Sequence, residues 1–127
     1  MRHKPSRTDR KAAERRGRRA EWIAALYLML KGYRILARRY KTPMGEVDLI
    51  ARRGRVIAMV EVKARNSVDE AVLAVHPQNR KRIIQASHYW LSRHQTMPDL
   101  DIRFDIVAIT PGQFPTHLMA AYDESGF

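Results

Sequence analysis

The residues best equipped for chemistry stand on two short runs, Gly45-Glu46-Val47-Asp48-Leu49-Ile50-Ala51 and Val60-Glu61-Val62-Lys63-Ala64-Arg65. Both follow the two-residue period of a strand, and Arg53-Gly54-Arg55 suits a short hairpin loop between them. Parity groups Glu46 and Asp48 with Ile50, and Glu61 and Lys63 with Ile57 and Met59. The opposite parity holds Val47, Leu49, Ala51, Val56, Ala58, Val60 and Val62, an entirely apolar set. One face is therefore expected to be hydrophobic throughout. The other is hydrophobic near the loop and ionic at its far end, where three carboxylates and one ammonium meet. Carboxylates crowded at a half-buried site repel one another and lose solvation. A divalent cation relieves both, and an oxygen-rich site suits Mg²⁺, which needs only one or two carboxylates beside its waters. Such an ion can lower the pKa of a bound water and polarise a phosphoryl oxygen. Lys63 then suits orienting that water or neutralising charge on the phosphorane. Spacing alone accommodates equally well a surface salt bridge of Lys63 with Glu46 or Glu61, because alternating charges on a solvated strand face are common.

The surrounding elements must hold this hairpin. From about Glu14 to Lys31 only Gly17 weakens a helix, and Gly32 is a natural stop. Its run from Trp22 to Leu30 is apolar on nearly every side, so much of it is expected to be buried. Tyr33 to Tyr40 reads as a strand, then a turn at 41–45, then strands Glu46 to Arg52 and Val56 to Ala64. Residues 65–76 read as a loop. Pro77 suits the first turn of a second helix reaching His94, ended by Met97-Pro98-Asp99. On it Ile83, Ile84, Ser87, Trp90 and Leu91 share one face, and Lys81, Gln85, His88 and Ser92 the other. Arg103 to Thr110 reads as a strand and His117 to Tyr122 as an edge strand. The order α-β-β-β-α-β, with one further strand, predicts an α/β fold, a mixed β-sheet flanked by helices.

A chain of 127 residues has room for one core. It holds no cysteine, which excludes disulfides and thiolate metal sites, and a reducing cytoplasm is the expected location. Lys and Arg number 24 against 13 Asp and Glu, a net charge of +11, which favours a polyanionic partner. Residues 1–20 alone hold nine basic and two acidic side chains, so much of the charge is terminal. Residues 1–13 are expected to form a disordered basic arm ahead of a single domain over 14–127. That arm fits a solubilising tail and a phosphate-binding role alike. Arg15 to Arg19 before the apolar run resembles a signal peptide, but Glu21 abuts the run and Lys31-Gly32-Tyr33-Arg34 replaces a cleavage site. The run is also too short to span a bilayer, which needs about 20 apolar residues, so no membrane association is expected.

The paired runs resemble the core motif of the PD-(D/E)xK nuclease superfamily, in which an Asp opens one strand and Glu-x-Lys lies on its neighbour. More narrowly, the chain resembles the YraN-like family of uncharacterised bacterial endonuclease-related proteins, similar in turn to Holliday junction resolvases. The resemblance runs from about Gly17 to Ala121, through Ala20-Glu21, Gly32-Tyr33 and Arg103-Phe104-Asp105. It implies a restriction-endonuclease-like core. It further implies Asp48 and Glu61 as metal ligands, the Val62 carbonyl completing the inner shell, Lys63 as catalytic lysine, and Glu21 as the acidic residue reaching the metal or its waters. Glu46 is implied behind them. The cofactor would be Mg²⁺ or Mn²⁺, the partner DNA, and resolvase-like relatives imply a homodimer, although nothing in this chain shows a dimer face by itself. Glu21 falls in line with Ala25 and Leu28, so it borders a buried helical face; a helix-start Glu favoured by the dipole is the simpler account. Val47 replaces the superfamily's proline, which removes one diagnostic.

Gln85 and Tyr89 match a Gln-x-x-x-Tyr spacing found near the metal in some superfamily nucleases, though such polar pairs are frequent. Gln85 and Lys81, with Arg65, are candidate DNA contacts. His76, His88 and His94 lack zinc-ligand spacing, and Asp105 beside Arg103 reads as a strand-end salt bridge. No glycine-rich phosphate loop and no Ser/His/Asp context is present. Three functions fit. The first is metal-dependent hydrolysis of DNA phosphodiester bonds, in branched or structured DNA, with salt-sensitive binding. The second is a non-catalytic nucleic-acid-binding protein retaining the nuclease-like fold. The third is a ribosome- or RNA-associated basic protein, which leaves the ionic hairpin end unexplained and lacks an aromatic stacking platform.

Overall fold

A computed structural model describes residues 6–94 and 99–126. The first helix, α1 (Arg7–Leu30), starts earlier than its sequence suggests. Ser6 caps it, accepting from the Asp9 amide while the Asp9 carboxylate accepts from the Ser6 amide, a reciprocal capping box. Residues 7–13 are therefore helical where a disordered arm was expected; residues 1–5 of that arm lie outside the described residues. After Gly32 (φ 92°) come β1 (Arg34–Lys41), β2 (Glu46–Arg53) and β3 (Val56–Ala64). A short helix, α2 (Val68–Leu73), occupies part of the expected loop, capped by the Ser67 hydroxyl accepting from the Glu70 amide. Then follow α3 (Pro77–Arg93), β4 (Asp101–Ile109) and β5 (Thr116–Tyr122). The expected break at Met97-Pro98 lies outside the described residues.

The five strands form one mixed sheet in the order β1-β2-β3-β4-β5. Only β3 and β4 run parallel, and α2 and α3 supply the connection that a parallel pair demands. The α/β architecture read from the sequence is thus the one observed, with one short helix added.

Two cores sandwich the sheet. On one side Ala20, Ala24, Ala25 and Leu28 of α1 pack on Leu49, Ala51, Ala58, Val60, Val62 and Val107. On the other, Ile83, Ala86 and Trp90 of α3 pack on Val47, Ile50, Ile57, Met59, Phe104 and Ile106. Alternation along β2 and β3 therefore holds except at Val47 and Asp48. Asp48, expected on the Ile50 face that α3 covers, opens onto a cleft lined by α1. Val47 joins the α3 core instead of sharing the α1 side with Leu49, so the strand is irregular at Asp48. The expectation that Trp22 to Leu30 is mostly buried fails for a geometric reason. Small residues at 20, 24 and 25 let one stripe of α1 lie close to the sheet, and α1 is an outer layer. Trp22, Leu26 and Leu30 are 55%, 57% and 80% exposed, and the Arg38 guanidinium lies 3.8 Å from the Trp22 ring centre.

Candidate active site

The site forms where β2 and β3 part. Their ladder runs from Arg53 opposite Val56 to Leu49 opposite Val60 and stops. One residue further, Asp48 turns its carboxylate into the gap, where Oδ2 accepts the Val62 amide proton at 2.8 Å. The Asp48 amide in turn points at Glu61 Oε1, 3.4 Å away. Two acidic side chains thereby replace backbone partners in the ladder. This satisfies buried amides that the divergence of the strands would otherwise orphan.

Both carboxyls are short of water, and Glu61 is only 4% exposed. Burial pushes Glu61 well above the usual carboxylate range, the neighbouring Asp48 pushes it further, and Lys63 pulls it back. Asp48 is raised too, first by burial and then by Glu21, against the Val62 amide and Lys63. The pair binds a proton more tightly than free carboxylates would. It is a crowded acidic site with the Lys63 ammonium close by.

Glu21 is buried on α1 and ion-paired with Arg39, whose Nε lies 2.8 Å from Oε2. Arg39 sits on β1 between the pairs Arg38–Leu49 and Tyr40–Val47, alongside Asp48. Its φ is +53°, a left-handed conformation that costs a non-glycine residue on the order of 1–2 kcal/mol. The sequence reading missed Arg39. A partner that depends on an irregular strand leaves no local signal.

A cleft of about 480 Å³ opens over this point, lined by Arg16, Glu21, Asp48, Val62, Lys63 and Arg65 among others. A second, of about 500 Å³, shares Arg16, Ala20, Ala64 and Arg65 with it and adds Arg19 and Asn66. The structure therefore brings Asp48, Lys63, Val62 and Glu21 to the cleft with Arg65, while Glu61 lies behind the lining, against the Asp48 amide. Glu46 is exposed at the start of β2 and outside the cleft lining. Gln85 and Lys81 are exposed on α3, and neither lines the cleft.

Among the described residues no group of three Asp, Glu, His or Cys side chains is gathered closely enough to hold a metal by itself. The donor set at hand is the two carboxylates of Asp48 and Glu61. That chemistry fits Mg²⁺ or Mn²⁺, which keep most of their waters, and not zinc. The crowding of the pair fits it as well, since a cation would replace the proton held there.

A second ionic cluster was read only in its Arg103–Asp105 pair. Asp105, wholly buried, accepts from Arg103 Nε and Nη2 at 2.8 Å each, from His117 Nε2 at 2.7 Å and from the Ala120 amide at 3.0 Å. Lys31 Nζ donates to His117 Nδ1 at 2.7 Å, which leaves the imidazole proton on Nε2, facing Asp105. Arg103 also donates to the Tyr33 hydroxyl at 2.5 Å. The cluster ties the end of α1 to β4 and β5. Arg103 and Asp105 do pair, as their spacing suggested, but at the centre of a network and not at a strand end.

Fold and site define a small α/β protein whose central hairpin carries a half-buried carboxylate pair and a lysine at a basic cleft. The profile of the family described as "Uncharacterised protein family UPF0102" matches residues 20–109, and the chain belongs to that family, the YraN-like group its motifs resemble. A UPF0102 protein of Bradyrhizobium diazoefficiens is 52% identical over 117 residues, 92% of this chain and 88% of that protein. One from Rhodopseudomonas palustris is 49% identical over 121 residues, covering 95% and 93%. One from Mesorhizobium japonicum is 51% identical over 122 residues, covering 96% and 97%.

Proposed function

We propose that this chain is a metal-dependent nuclease of the PD-(D/E)xK type that hydrolyses phosphodiester bonds in DNA, branched or structured DNA being the implied substrate. The observation that carries the reading is the Asp48–Glu61 pair, with Glu61 buried, Asp48 half-buried and both raised in proton affinity, beside Lys63. Arg16 and Arg65 at the cleft suit the flanking phosphates. Asp48, Glu61 and the Val62 carbonyl would hold Mg²⁺ or Mn²⁺. The ion would supply charge neutralisation and polarisation of the phosphoryl group. Lys63 places a positive charge where the phosphorane becomes more negative. Glu21, held by Arg39, adds a carboxylate at the cleft wall.

A second reading, a nucleic-acid-binding protein that keeps a nuclease-like fold without turnover, also has an observation behind it. Asp48 Oδ2 is engaged by the Val62 amide and Glu21 by Arg39, so two carboxylates already have partners. The deciding experiment incubates the protein with a four-way junction, a flap and plain duplex, with Mg²⁺, Mn²⁺ or chelator, beside Asp48→Asn and Lys63→Ala. The nuclease reading expects metal-dependent cleavage that both exchanges abolish. Binding without cleavage in either metal would establish the second reading, and cleavage surviving both exchanges would overturn the site. On the nuclease reading the protein works in the cytoplasm, on DNA and as a homodimer. No helix among the described residues is long and apolar enough to cross a membrane.

A further inference from the structure

At the end of β2 remote from Asp48, three arginines converge. Arg34 of β1 stands opposite Arg52 of β2, and Arg53 follows. With Gly32 and Gly54 they line a cavity of about 380 Å³. Like charges directly across a strand pair destabilise it, so this arrangement costs stability. None of the three is matched by a carboxylate, because the ion pairs among the described residues are Glu21–Arg39, Asp105–Arg103 and Asp105–His117. Two of them are nevertheless held in place. Arg52 Nε donates to the Gly54 carbonyl at 2.9 Å. Arg53 Nη1 donates to the Lys31 carbonyl at 3.3 Å, and its guanidinium lies 4.9 Å from the Tyr33 ring centre. A guanidinium has five N–H donors, so most remain free. At φ 92° and 62° the two glycines leave that wall without side chains.

We propose that Arg34, Arg52 and Arg53 form a second phosphate-binding site, which grips the backbone of a nucleic-acid duplex whose other end lies at Asp48. Planar, immobilised guanidiniums match phosphate oxygens in pairs. Register supplies the path between the two places. β1 runs from Arg34 beside Arg52 to Tyr40 beside Val47, with exposed Arg38 and Lys41 along it. Charges on an edge strand also deter unwanted strand pairing, which accounts for Arg38 and Lys41. It does not account for Arg52 and Arg53, which end an inner strand. Four residues separate Asp48 from Arg52, about 13 Å of strand, or roughly four base-pair steps at about 3.4 Å each. The pocket is therefore one end of a cationic row, suited to a polymer's phosphodiesters more than to a lone anion. The placement rests in part on the nuclease reading; the binding does not.

The test measures binding in chelator, where no cleavage can occur. Anisotropy of a labelled duplex of about 20 base pairs is followed between about 50 and 200 mM salt for the wild type and Arg34→Gln/Arg52→Gln. The double exchange is expected to weaken binding by on the order of tenfold and to flatten the salt slope by about two phosphates' worth. Unchanged affinity and slope would overturn the site. If the double variant does not fold, Arg34→Gln and Arg52→Gln are measured singly, each expected to lower the slope by about one. Singles with the wild-type slope overturn it equally. Inorganic phosphate is titrated in parallel. Phosphate binding lost in the variants while duplex binding stays intact would assign the pocket to a free anion and overturn the nucleic-acid assignment. Because binding is read in chelator, without turnover, a failed nuclease reading leaves this measurement standing.

Discussion

The Asp48 carboxylate occupies the place of a backbone carbonyl, accepting the Val62 amide proton at 2.8 Å where the β2–β3 ladder ends. The residue is thus structural and electrostatic at once, and the two roles separate by substitution. Asp48→Asn keeps an acceptor for Val62 and removes a repelled charge, so stability should stay level or rise while cleavage is lost. Asp48→Ala orphans a buried amide and is expected to cost about 1–3 kcal/mol. Urea unfolding of the two variants checks this. An alanine variant as stable as the asparagine one would contradict it.

The carboxylate pair makes stability depend on pH. Glu61 holds its proton well above the usual 4.5, mainly through burial and secondarily through Asp48. From that unfolded value upward to the folded one, the native chain binds more protons than the unfolded chain. Stability therefore falls as pH rises through the window. In chelator the urea midpoint should decline across it, and Glu61→Gln should flatten the decline. Mg²⁺ should restore stability most on the alkaline side, since ion and proton compete. A midpoint that climbs with pH in this window would refute the assignment.

Asp105 bends the profile the other way. Burial raises it, but His117, Arg103 and the Ala120 amide outweigh that and hold it below the usual 3.8. Its contribution is complete above that unfolded value and is lost as pH falls through the lower folded one. Asp105→Asn leaves the Arg103 guanidinium without its counter-charge and should cost about 3–5 kcal/mol in urea unfolding. A loss below about 1 kcal/mol would show that the network is dispensable.

Gly45 is a spacing device. A Cβ there would lie 2.9 Å from the Arg82 Cβ and 3.3 Å from its carbonyl oxygen. Gly45→Ala must push α3 and the start of β2 apart, at about 1–3 kcal/mol. The shift reaches Asp48 three residues on, so the Val62 amide should exchange with solvent faster. Exchange at the wild-type rate would show that the strand absorbs the methyl group.

Much of this was legible because strands announce themselves. Alternation and Gly54 fixed β2 and β3, and parity brought Asp48, Glu61 and Lys63 to one end of the hairpin. Val47 escaped because parity assumes an uninterrupted pleat, and β2 loses its regularity at Asp48. The start of α1 rests on Ser6 and Asp9, a cap hidden among basic residues. Exposure of Trp22 and Leu26 depends on which stripe meets the sheet, which composition does not state. Lys31 and His117 are 86 residues apart, and no local pattern links them. Gln85 had a motif's spacing with Tyr89 and shared a polar face with Lys81, yet α3 directs its inner face to the core and leaves Gln85 and Lys81 outside the cleft.

The single parallel seam also sets an order of assembly. Every partner across β3 and β4 differs by 45 in number, from Val56–Asp101 to Ala64–Ile109. The β1–β2–β3 meander and the β4–β5 hairpin each close through short turns. Joining them means closing a much longer loop, which slows formation. The meander should therefore gain protection first in pulse-labelled hydrogen exchange, Leu49 and Val60 ahead of Ile106 and Val107. Simultaneous protection would show one cooperative step instead. On this route the carboxylates of the hairpin are already facing one another while two of the sheet's five strands have yet to dock.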